Sequence, residues 1–314
     1  MCGIAGRIIT RIGPVGHDIV ELAACMRHRG PDSTGFAIYG VPRESGLVIR
    51  AFLDDRRHLD SALDSLRLVT KEAGSDFTAD PTWDDTTQQH VLVRAQVNDI
   101  NDLAKWTLAA EEQSGLQILS AGRSLEIVKD VGDAREVDAK HHVSAMTGTH
   151  ALSHMRLATE SLVSPIASHP FWARPFPDVC IAHNGQLTNY YKWRRRLERD
   201  GYHFSSENDS ELIAVWNSVQ MAGGHTLEES LRASISELDG VFTYLLGTAD
   251  SIGMAKDRWA MKPLIGVRAD DGVALATEEQ ALRSLYREEI AMINYDGPSL
   301  TEVWTAAQPS GHVA

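Results

Sequence analysis

The chain has 314 residues, of which 43% are hydrophobic, and this is enough for one large domain or two small ones around a sizeable core. Acidic residues outnumber basic ones 43 to 30, so the composition argues against a nucleic-acid-binding protein, which needs clustered Lys and Arg. No apolar stretch approaches the roughly 18 residues of a membrane span, and the first residues lack the apolar core of a secretory signal. With three scattered cysteines that cannot form a disulfide framework, these features predict a cytoplasmic globular protein.

The first fifty residues predict a strand, a helix and two further strands. Apolar and branched residues alternate in the first ten positions as in a strand, and residues 17–28 repeat apolar residues at helical spacing until Arg29 and Gly30 end the pattern. Residues 34–40 and 46–52 are typical of strands, and the loop between them has the length of a hairpin connection.

Patterns are weaker from about residue 54 to residue 147, and this segment is predicted to be an elaboration of the fold. It contains two amphipathic helices, near 56–72 and 101–113, and three short strands with the sequences QHVLVRAQV, GLQILS and LEIVKDV.

Regular patterns return at residue 149. Strands are predicted over 149–159 and 178–185, helices over 188–200, 209–221 and 226–238, and then four closely spaced strands with the sequences VFTYLLGTA, SIGMAK, PLIGVRA and GVALATE. Short connections pair neighbouring strands in antiparallel fashion, and the helices are grouped between the strand segments. The chain is therefore predicted to have an α+β fold of layered antiparallel sheets and helices.

Four stretches far apart in the sequence carry polar residues that a strand or helix would not choose for packing. They are Cys2, Arg156 with Thr159, Asn184 with Gly185, and Asp209. Each also has a structural explanation, since Asn-Gly is the commonest dipeptide of tight turns. A carboxylate at position 209 is favourable at a helix start, where Asn208 and Glu211 have the spacing of a capping box.

The remaining cysteines and the central histidines are not predicted to carry chemistry. Cys25 lies on the apolar face of a predicted helix and Cys180 within a predicted strand, so both are expected to be packing residues. A metal cluster could be suggested by four histidines that lie close in the sequence, but they lack flanking cysteines and HExxH spacing, so no metal site is predicted: His141, His142, His150 and His154.

Taken together, five motifs in this order resemble the class II glutamine amidotransferases: MCGIAG, HRGPDSTG (28–35), SHMRLAT (153–159), IAHNGQLTN (181–189) and NDSEL (208–212). The family consists of amino-terminal-nucleophile (Ntn) hydrolases, and the resemblance implies a four-layer αββα sandwich of two antiparallel sheets. KDRWAMKPL and ALATEEQAL are also similar to later parts of the family, so the resemblance runs from residue 2 to about residue 290. It implies a single domain over 2–300, elaborated at about 54–147, with a tail at 301–314.

The resemblance implies that Cys2 is the nucleophile. If Met1 is removed, the α-amine of Cys2 can act as the base for its own thiol, because an unperturbed α-amine has a pKa of about 7.7 to 8.0. In the family, an asparagine side chain and a glycine N–H stabilise the oxyanion, and these match Asn184 and Gly185.

The same resemblance assigns the residues that bind free glutamine. Arg156 matches the clamp for the α-carboxylate, with Thr159 assisting, and Asp209 matches the partner of the α-ammonium group. Arg29 and Gly30 are expected in the wall beside the nucleophile.

The predicted function is that of a glutamine amidotransferase, a glutaminase whose ammonia is used elsewhere. Within the family the chain is most similar to free-standing subunits of N-methylglutamate synthases and related multi-subunit glutamate synthases. It ends shortly after the hydrolase fold, so the nitrogen acceptor is expected on a glutamate-synthase-like flavoprotein subunit in a hetero-oligomer. FMN, with or without iron–sulfur clusters, would belong to that partner, and no cofactor is expected on this chain.

Two alternatives from other functional classes remain open from the sequence. The chain could be a non-catalytic regulatory subunit that binds glutamate or glutamine without consuming it. It could also be a stand-alone amidohydrolase for another γ-glutamyl amide, because Arg156 and Asp209 would serve such a substrate equally well.

Overall fold

The computed structural model describes residues 2–84, 89–157, 164–286 and 290–306. Within these residues the strands are β1 (Gly3–Gly13), β2 (Ser33–Tyr39), β3 (Leu47–Leu53), β4 (Phe77–Asp84), β5 (Val91–Val97), β6 (Gln117–Gly122), β7 (Leu125–Val131), β8 (Gly148–Arg156), β9 (Phe171–Trp172), β10 (Cys180–Leu187), β11 (Gly240–Gly247), β12 (Ser251–Lys256), β13 (Ile265–Ala269), β14 (Gly272–Ala276), β15 (Ile293–Asn294) and β16 (Thr301–Thr305). The helices are α1 (Val15–Cys25), α2 (Leu59–Glu72), α3 (Leu103–Ser114), α4 (Ala134–His141), α5 (Tyr190–Arg199), α6 (Asp209–Ala222), α7 (Leu227–Glu237) and α8 (Glu279–Leu285). Among these helices, none is both long and apolar enough to span a lipid bilayer.

Two antiparallel sheets form the centre of the fold. The first has seven strands in the order β15-β13-β14-β1-β8-β2-β7, and the second has five in the order β16-β12-β11-β10-β9. β1 lies in the middle of the first sheet, with Gly3 opposite Met155 of β8. In the second sheet β10 pairs with β11 along its full length. The predicted α+β class with antiparallel sheets is confirmed.

The two sheets pack face to face, and helices cover their outer faces. Between the sheets, Ile4 and Leu152 of the first share one apolar cluster with Ala182 and Leu245 of the second. On the outside of the first sheet, α1, α4 and α8 pack through a separate cluster. A third cluster joins α5, α6 and α7 to the second sheet. The layers therefore run helix, sheet, sheet, helix, as the resemblance implies.

A third sheet of four strands, in the order β4-β5-β3-β6, accounts for most of the elaboration. α2 and α3 pack on it through apolar side chains such as Leu66 and Trp106. The elaboration begins at Leu47 rather than at about residue 54, and its sheet ends at Gly122. The strand predicted at LEIVKDV is β7, which returns to the edge of the first sheet beside β2.

The structure corrects three expectations about strand pairing. β2 and β3 do not form a hairpin, because β2 pairs with β7 and β8 whereas β3 pairs with β5 and β6. Similarly, β12 and β13 belong to different sheets, so residues 257–264 cross between the sheets. The expected tail begins inside the fold, since β16 pairs with β12 and buries Trp304. A loop of a given length does not specify which sheet the next strand joins.

Candidate active site

Cys2 directly precedes β1, and the first residues of this strand are fixed by hydrogen bonds. The Ile4 N–H donates to the Thr277 hydroxyl at 2.8 Å, and the Thr277 N–H donates to the Ile4 carbonyl at 3.0 Å. Both residues are buried. Thr277 therefore fixes the strand that presents the half-buried Cys2. No sequence pattern predicted a role for Thr277, although it falls within the family-like motif ALATEEQAL.

Asn184 contacts Cys2 directly. Its side-chain Nδ2 donates a hydrogen bond to the Cys2 carbonyl oxygen at 3.1 Å. The side-chain amide nitrogen carries two N–H groups, so the second can donate to another acceptor beside Cys2. Asn184 is nearly buried, and β10 presents it opposite Thr243 of β11. The tight-turn explanation of Asn184 and Gly185 is wrong, because both lie within a paired strand.

Gly185 is required by the shape of the site. Its φ is +157°, and a side chain at this position would place Cβ 2.1 Å from the Val241 carbonyl oxygen and 2.7 Å from His183 Nε2. No other residue type fits here without movement of the backbone. The glycine therefore allows β10 to lie close against β11 and His183 beside Asn184.

Arg156 and Gly30 meet at the end of β8. A Cβ on Gly30 would lie 2.5 Å from the backbone of Met155 and Arg156, so only glycine allows the turn after α1 to approach the strand this closely. Since Gly3 is opposite Met155, Cys2 and Arg156 stand at neighbouring ends of β1 and β8. Thr159, predicted to assist Arg156, lies outside the described residues.

Arg29 is engaged within the protein. Its guanidinium donates to Glu278, and His28 Nε2 lies 3.0 Å from the same carboxylate. Burial raises the pKa of Glu278, but the hydrogen bonds from Arg29 and His28 outweigh this effect and lower it. The positive charge of Arg29 is thus neutralised locally, which favours a role in the wall over a direct contact with substrate.

Asp209 is held at the start of α6. Its Oδ2 accepts a hydrogen bond from the Leu187 N–H at 2.8 Å, and His183 Nδ1 lies 3.6 Å from Oδ1. Burial raises the pKa of Asp209, but the charge and hydrogen bond of His183, the Leu187 N–H and the Ser210 hydroxyl together lower it. The carboxylate is therefore ionised at neutral pH.

The capping box expected at this helix is not formed. Asn208 does cap α6, since its Oδ1 accepts from the Ser210 N–H at 2.9 Å. Glu211, however, is fully buried and accepts from both the N–H and the hydroxyl of Ser205 and Ser206. Four donors from the preceding loop outcompete the single N–H that the capping box would offer.

A cavity of about 600 Å³ lies between the end of β10 and the start of α6. Gly185 and Asp209 both line it, together with Tyr191 of α5. Among the described residues, neither Cys2 nor Arg156 lines this cavity, so it covers the Asp209 side of the site. Its volume is within the range of small-molecule pockets.

The central histidines do not lie together. His141 binds two carboxylates near the third sheet, His150 stacks on Tyr39 with ring centroids 3.9 Å apart, and His154 stacks on His169 at 4.0 Å. In the part of the chain that the structure describes, no group of three or more His, Cys, Asp or Glu side chains is arranged to hold a metal ion.

A buried lysine that was not predicted from the sequence supports the backbone of residues 166–170, before β9. Lys129 Nζ donates to three backbone carbonyls, those of Ile166, Ser168 and Pro170, at 3.3, 2.7 and 3.3 Å. Burial lowers the pKa of this lysine to about 7. The only sequence signal was a lysine in the middle of a strand pattern, at LEIVKDV.

The site combines the half-buried thiol of Cys2, a side-chain amide at the Cys2 carbonyl, and an ionised carboxylate beside an open cavity. A site of this class is suited to acyl transfer from a charged small molecule.

A family model of the glutamine amidotransferase domain matches residues 154–284. A protein of Methanothermobacter thermautotrophicus named "Putative glutamine amidotransferase" is 34% identical over 292 residues, which cover 91% of this chain and 94% of the relative. The glutamine amidotransferase-like protein GlxB of Rhizobium meliloti is 32% identical over 315 residues, which cover 97% of this chain and 98% of the relative. The chain belongs to the glutamine amidotransferase family.

A solved structure shows the same fold. The glutamine phosphoribosylpyrophosphate amidotransferase from B. subtilis, complexed with ADP and GMP, superposes with a TM-score of 0.57 at 16% sequence identity. The superposition covers 97% of this chain but 49% of that chain, so this chain spans about half the length of the solved amidotransferase. This agreement confirms the Ntn-type fold that the motifs imply.

Proposed function

We propose that this chain hydrolyses the side-chain amide of glutamine with Cys2 as nucleophile and supplies the ammonia to a partner protein. The observation that carries the proposal is the hydrogen bond of 3.1 Å from Asn184 Nδ2 to the Cys2 carbonyl. It brings the residue predicted to attack and the residue predicted to stabilise the oxyanion into contact across 182 positions of sequence.

The reaction begins once Met1 has been removed. The α-amine of Cys2 takes the thiol proton, and the sulfur forms a bond to the amide carbon of glutamine. The carbonyl electron pair moves to the oxygen, which accepts hydrogen bonds from the Asn184 side chain and the Gly185 N–H. Loss of one such donor typically costs about 3 kcal/mol of transition-state stabilisation.

Collapse of this intermediate releases the nitrogen. The oxyanion re-forms the carbonyl, the carbon–nitrogen bond breaks, and the nitrogen leaves as ammonia with the proton held by the amine. Water then hydrolyses the γ-glutamyl thioester to glutamate and restores the thiol.

The ends of the substrate are bound by opposite charges. Arg156 holds the α-carboxylate, with Thr159 assisting, and Asp209 holds the α-ammonium group. The lowered pKa of Asp209 and its place on the cavity of about 600 Å³ support the second assignment.

The partner is a glutamate-synthase-like flavoprotein, with an N-methylglutamate synthase subunit as the most specific candidate. The two relatives are about as long as this chain, whereas the solved amidotransferase is about twice as long, and this difference supports a nitrogen-accepting reaction on a separate protein. FMN, and any iron–sulfur cluster, would be bound by that partner.

Glutamate release from glutamine tests the catalytic proposal. Cys2→Ala should lower kcat/KM by at least about 10³-fold, because the variant lacks the nucleophile. Cys25→Ala is the matched control, since Cys25 is also a half-buried thiol but lies at the end of α1, and it should keep full activity. Intact mass should show that Met1 is absent from the active protein.

Two results would reject the mechanism. One is equal activity of the wild type and Cys2→Ala, and the other is full activity in a preparation that retains Met1. Binding of glutamine without turnover would instead favour the regulatory alternative. Copurification from the native source, with identification of the other chains and of any bound flavin, tests the partner.

A further inference from the structure

Three buried histidines and one serine form a connected set beneath the site, which we name the histidine–serine network: His154, His169, His183 and Ser210. Ser210 Oγ lies 2.8 Å from His183 Nδ1 and 3.3 Å from His169 Nε2. His154 stacks on His169 and its Nε2 donates to the His183 carbonyl at 3.1 Å. None of these four residues has a role in the mechanism described so far.

The network joins the segments that carry the predicted substrate-binding residues. His154 lies on β8, two positions before Arg156, and His183 lies on β10 directly before Asn184. Ser210 follows Asp209 at the start of α6. β10 and α6 meet at the Ser210 hydroxyl through His183, and β8 is joined to them through the contacts of His154 with His169 and His183.

The hydrogen atoms of the network can be assigned from its partners. The backbone N–H of His183 donates to His169 Nδ1 at 3.4 Å, so Nδ1 of His169 is an acceptor. Burial keeps the pKa of His169 well below its usual value, so this ring is neutral and carries its proton on Nε2, which faces Ser210. The hydroxyl thus accepts one hydrogen bond from His169.

The remaining bonds point toward Asp209. Ser210 Oγ lies 3.4 Å from Asp209 Oδ1, and a carboxylate oxygen can only accept, so the hydroxyl donates there. His183 Nδ1 lies between the hydroxyl and the same carboxylate, which places its proton on Nδ1. The Ser210 hydroxyl then uses its one donor and both acceptor positions.

We propose that Ser210, supported by His183, is a positioning residue for glutamine binding that fixes the Asp209 carboxylate toward the substrate's α-ammonium group. The inference rests on the function proposed above. Asp209 Oδ2 is held by the Leu187 N–H, so the Ser210 contact at Oδ1 sets the remaining rotation of the carboxylate. Without it, Asp209 can turn within the open cavity that it lines.

The test compares two ligands that differ in the ammonium group alone. Isothermal titration calorimetry measures Kd for L-glutamate, which carries the α-ammonium group, and for glutarate, which lacks it. The wild type should bind L-glutamate more tightly than glutarate. In Ser210→Ala this preference should shrink by about 2- to 12-fold, the size expected for the net contribution of one typical hydrogen bond.

Ser218→Ala is the matched control. Ser218 is buried on the same helix, but its hydroxyl donates to the Ala214 carbonyl of its own helix at 2.9 Å. This variant should keep the wild-type preference, and Ser210→Thr, which retains the hydroxyl, should keep most of it. A general loss of stability would weaken both ligands equally and leave their ratio unchanged.

A second pair of variants covers the case in which Ser210→Ala does not fold. His183→Asn places an amide N–H near the position of Nδ1 and should keep the preference, whereas His183→Gln moves that donor away and should reduce it. An unchanged preference in Ser210→Ala, or in His183→Gln if the first variant is unfolded, overturns the inference. So does a wild type that does not prefer L-glutamate. If the preference behaves as expected but glutamine is not hydrolysed, the catalytic proposal fails and the positioning role stands.

Discussion

Two groups of buried histidines in this molecule have opposite electrostatic character. In the histidine–serine network, burial lowers the pKa of His154 to about 3 and holds the pKa of His169 well below its usual value, so these two rings are neutral at pH 7. Near the third sheet, His141 is also buried, and burial alone would lower its pKa, but hydrogen bonds and charge from Asp130 and Asp84 outweigh this effect and raise it. The same residue type is therefore uncharged in one place and favours the charged form in the other.

The second group, which we name the Asp130 cluster, comprises Asp84, His90, Asp130, Lys140 and His141. His141 Nδ1 lies 3.0 Å from Asp84 and its Nε2 lies 3.1 Å from Asp130. His90 and Lys140 each lie 3.2 Å from Asp130. Burial raises the pKa of Asp130, but the His141 hydrogen bond, the Val131 N–H and the nearby positive charges lower it to about 2.

The difference reflects what each group connects. The Asp130 cluster joins β4 and the start of β5 to β7 and α4, so it attaches the third sheet to the central layers. Charged side chains can hold such an attachment, because no ligand has to be bound at this position. Beneath the site, the neutral rings of His154 and His169 add no positive charge that would compete with the substrate's ammonium group for Asp209.

Removal of the central carboxylate should have the largest effect on stability. Asp130→Asn removes the buried carboxylate shared by His141 and Lys140 and leaves His141 with Asp84 alone, and the loss of one partner of a buried ion pair typically costs about 3 to 5 kcal/mol. The free energy of unfolding, measured with urea, should fall by this amount. Asp80→Asn on β4 is the control, because the Asp80 side chain is almost fully exposed and its pair with Arg67 lies in solvent. Equal stability of both variants would show that the cluster does not hold the third sheet.

Protonation of the neutral network should give the next largest effect. Unfolded His154 has a pKa near 6.5 and the folded residue one of about 3, so the unfolded state binds the extra proton between these values and stability falls as the pH falls. From pH 7 to pH 5 this residue should account for a loss of about 2 kcal/mol. His154→Gln keeps a donor for the His183 carbonyl but cannot titrate, so urea unfolding at both pH values should show a smaller loss. Identical pH profiles for variant and wild type would contradict the assignment.

The sequence predicted the helices over the second sheet and the antiparallel layers well, because their periodic patterns are local. It did not predict that β12 and β13 lie in different sheets, since the apolar face of a strand does not specify which layer covers it. β4 escaped notice because most of its residues are exposed and its pattern is polar.

The candidate site shows the same division. Cys2 and Asn184 were found because they stand in motifs of a known family, and the structure places them in contact. Thr277, Lys129 and Ser210 were not found, because each acts through a hydrogen bond to a partner distant in sequence or to the backbone. A serine after a helix-start aspartate looks like ordinary capping chemistry until the histidines around it are located.

The smallest effect should come from deprotonation of His141, and its sign is opposite to that of His154. Because the folded pKa is raised, the stabilisation is fully present below the unfolded value near 6.5 and is lost as the pH rises through the folded pKa. The loss is limited, since a neutral imidazole still donates one hydrogen bond to the carboxylates of Asp84 or Asp130, and Lys140 and His90 remain beside Asp130. His141→Gln, with a donor near the position of Nε2, should therefore be less stable than the wild type at pH 6, and this difference in the free energy of unfolding should narrow toward pH 8.5.

For His154→Gln, the difference in the free energy of unfolding from the wild type should change with pH in the other direction. Acid protonates His154 in the unfolded wild type and so lowers the stability of the wild type. Two histidine-to-glutamine changes with stability differences of opposite pH slope would separate the charged attachment from the neutral support of the site, and slopes of the same sign would remove the distinction.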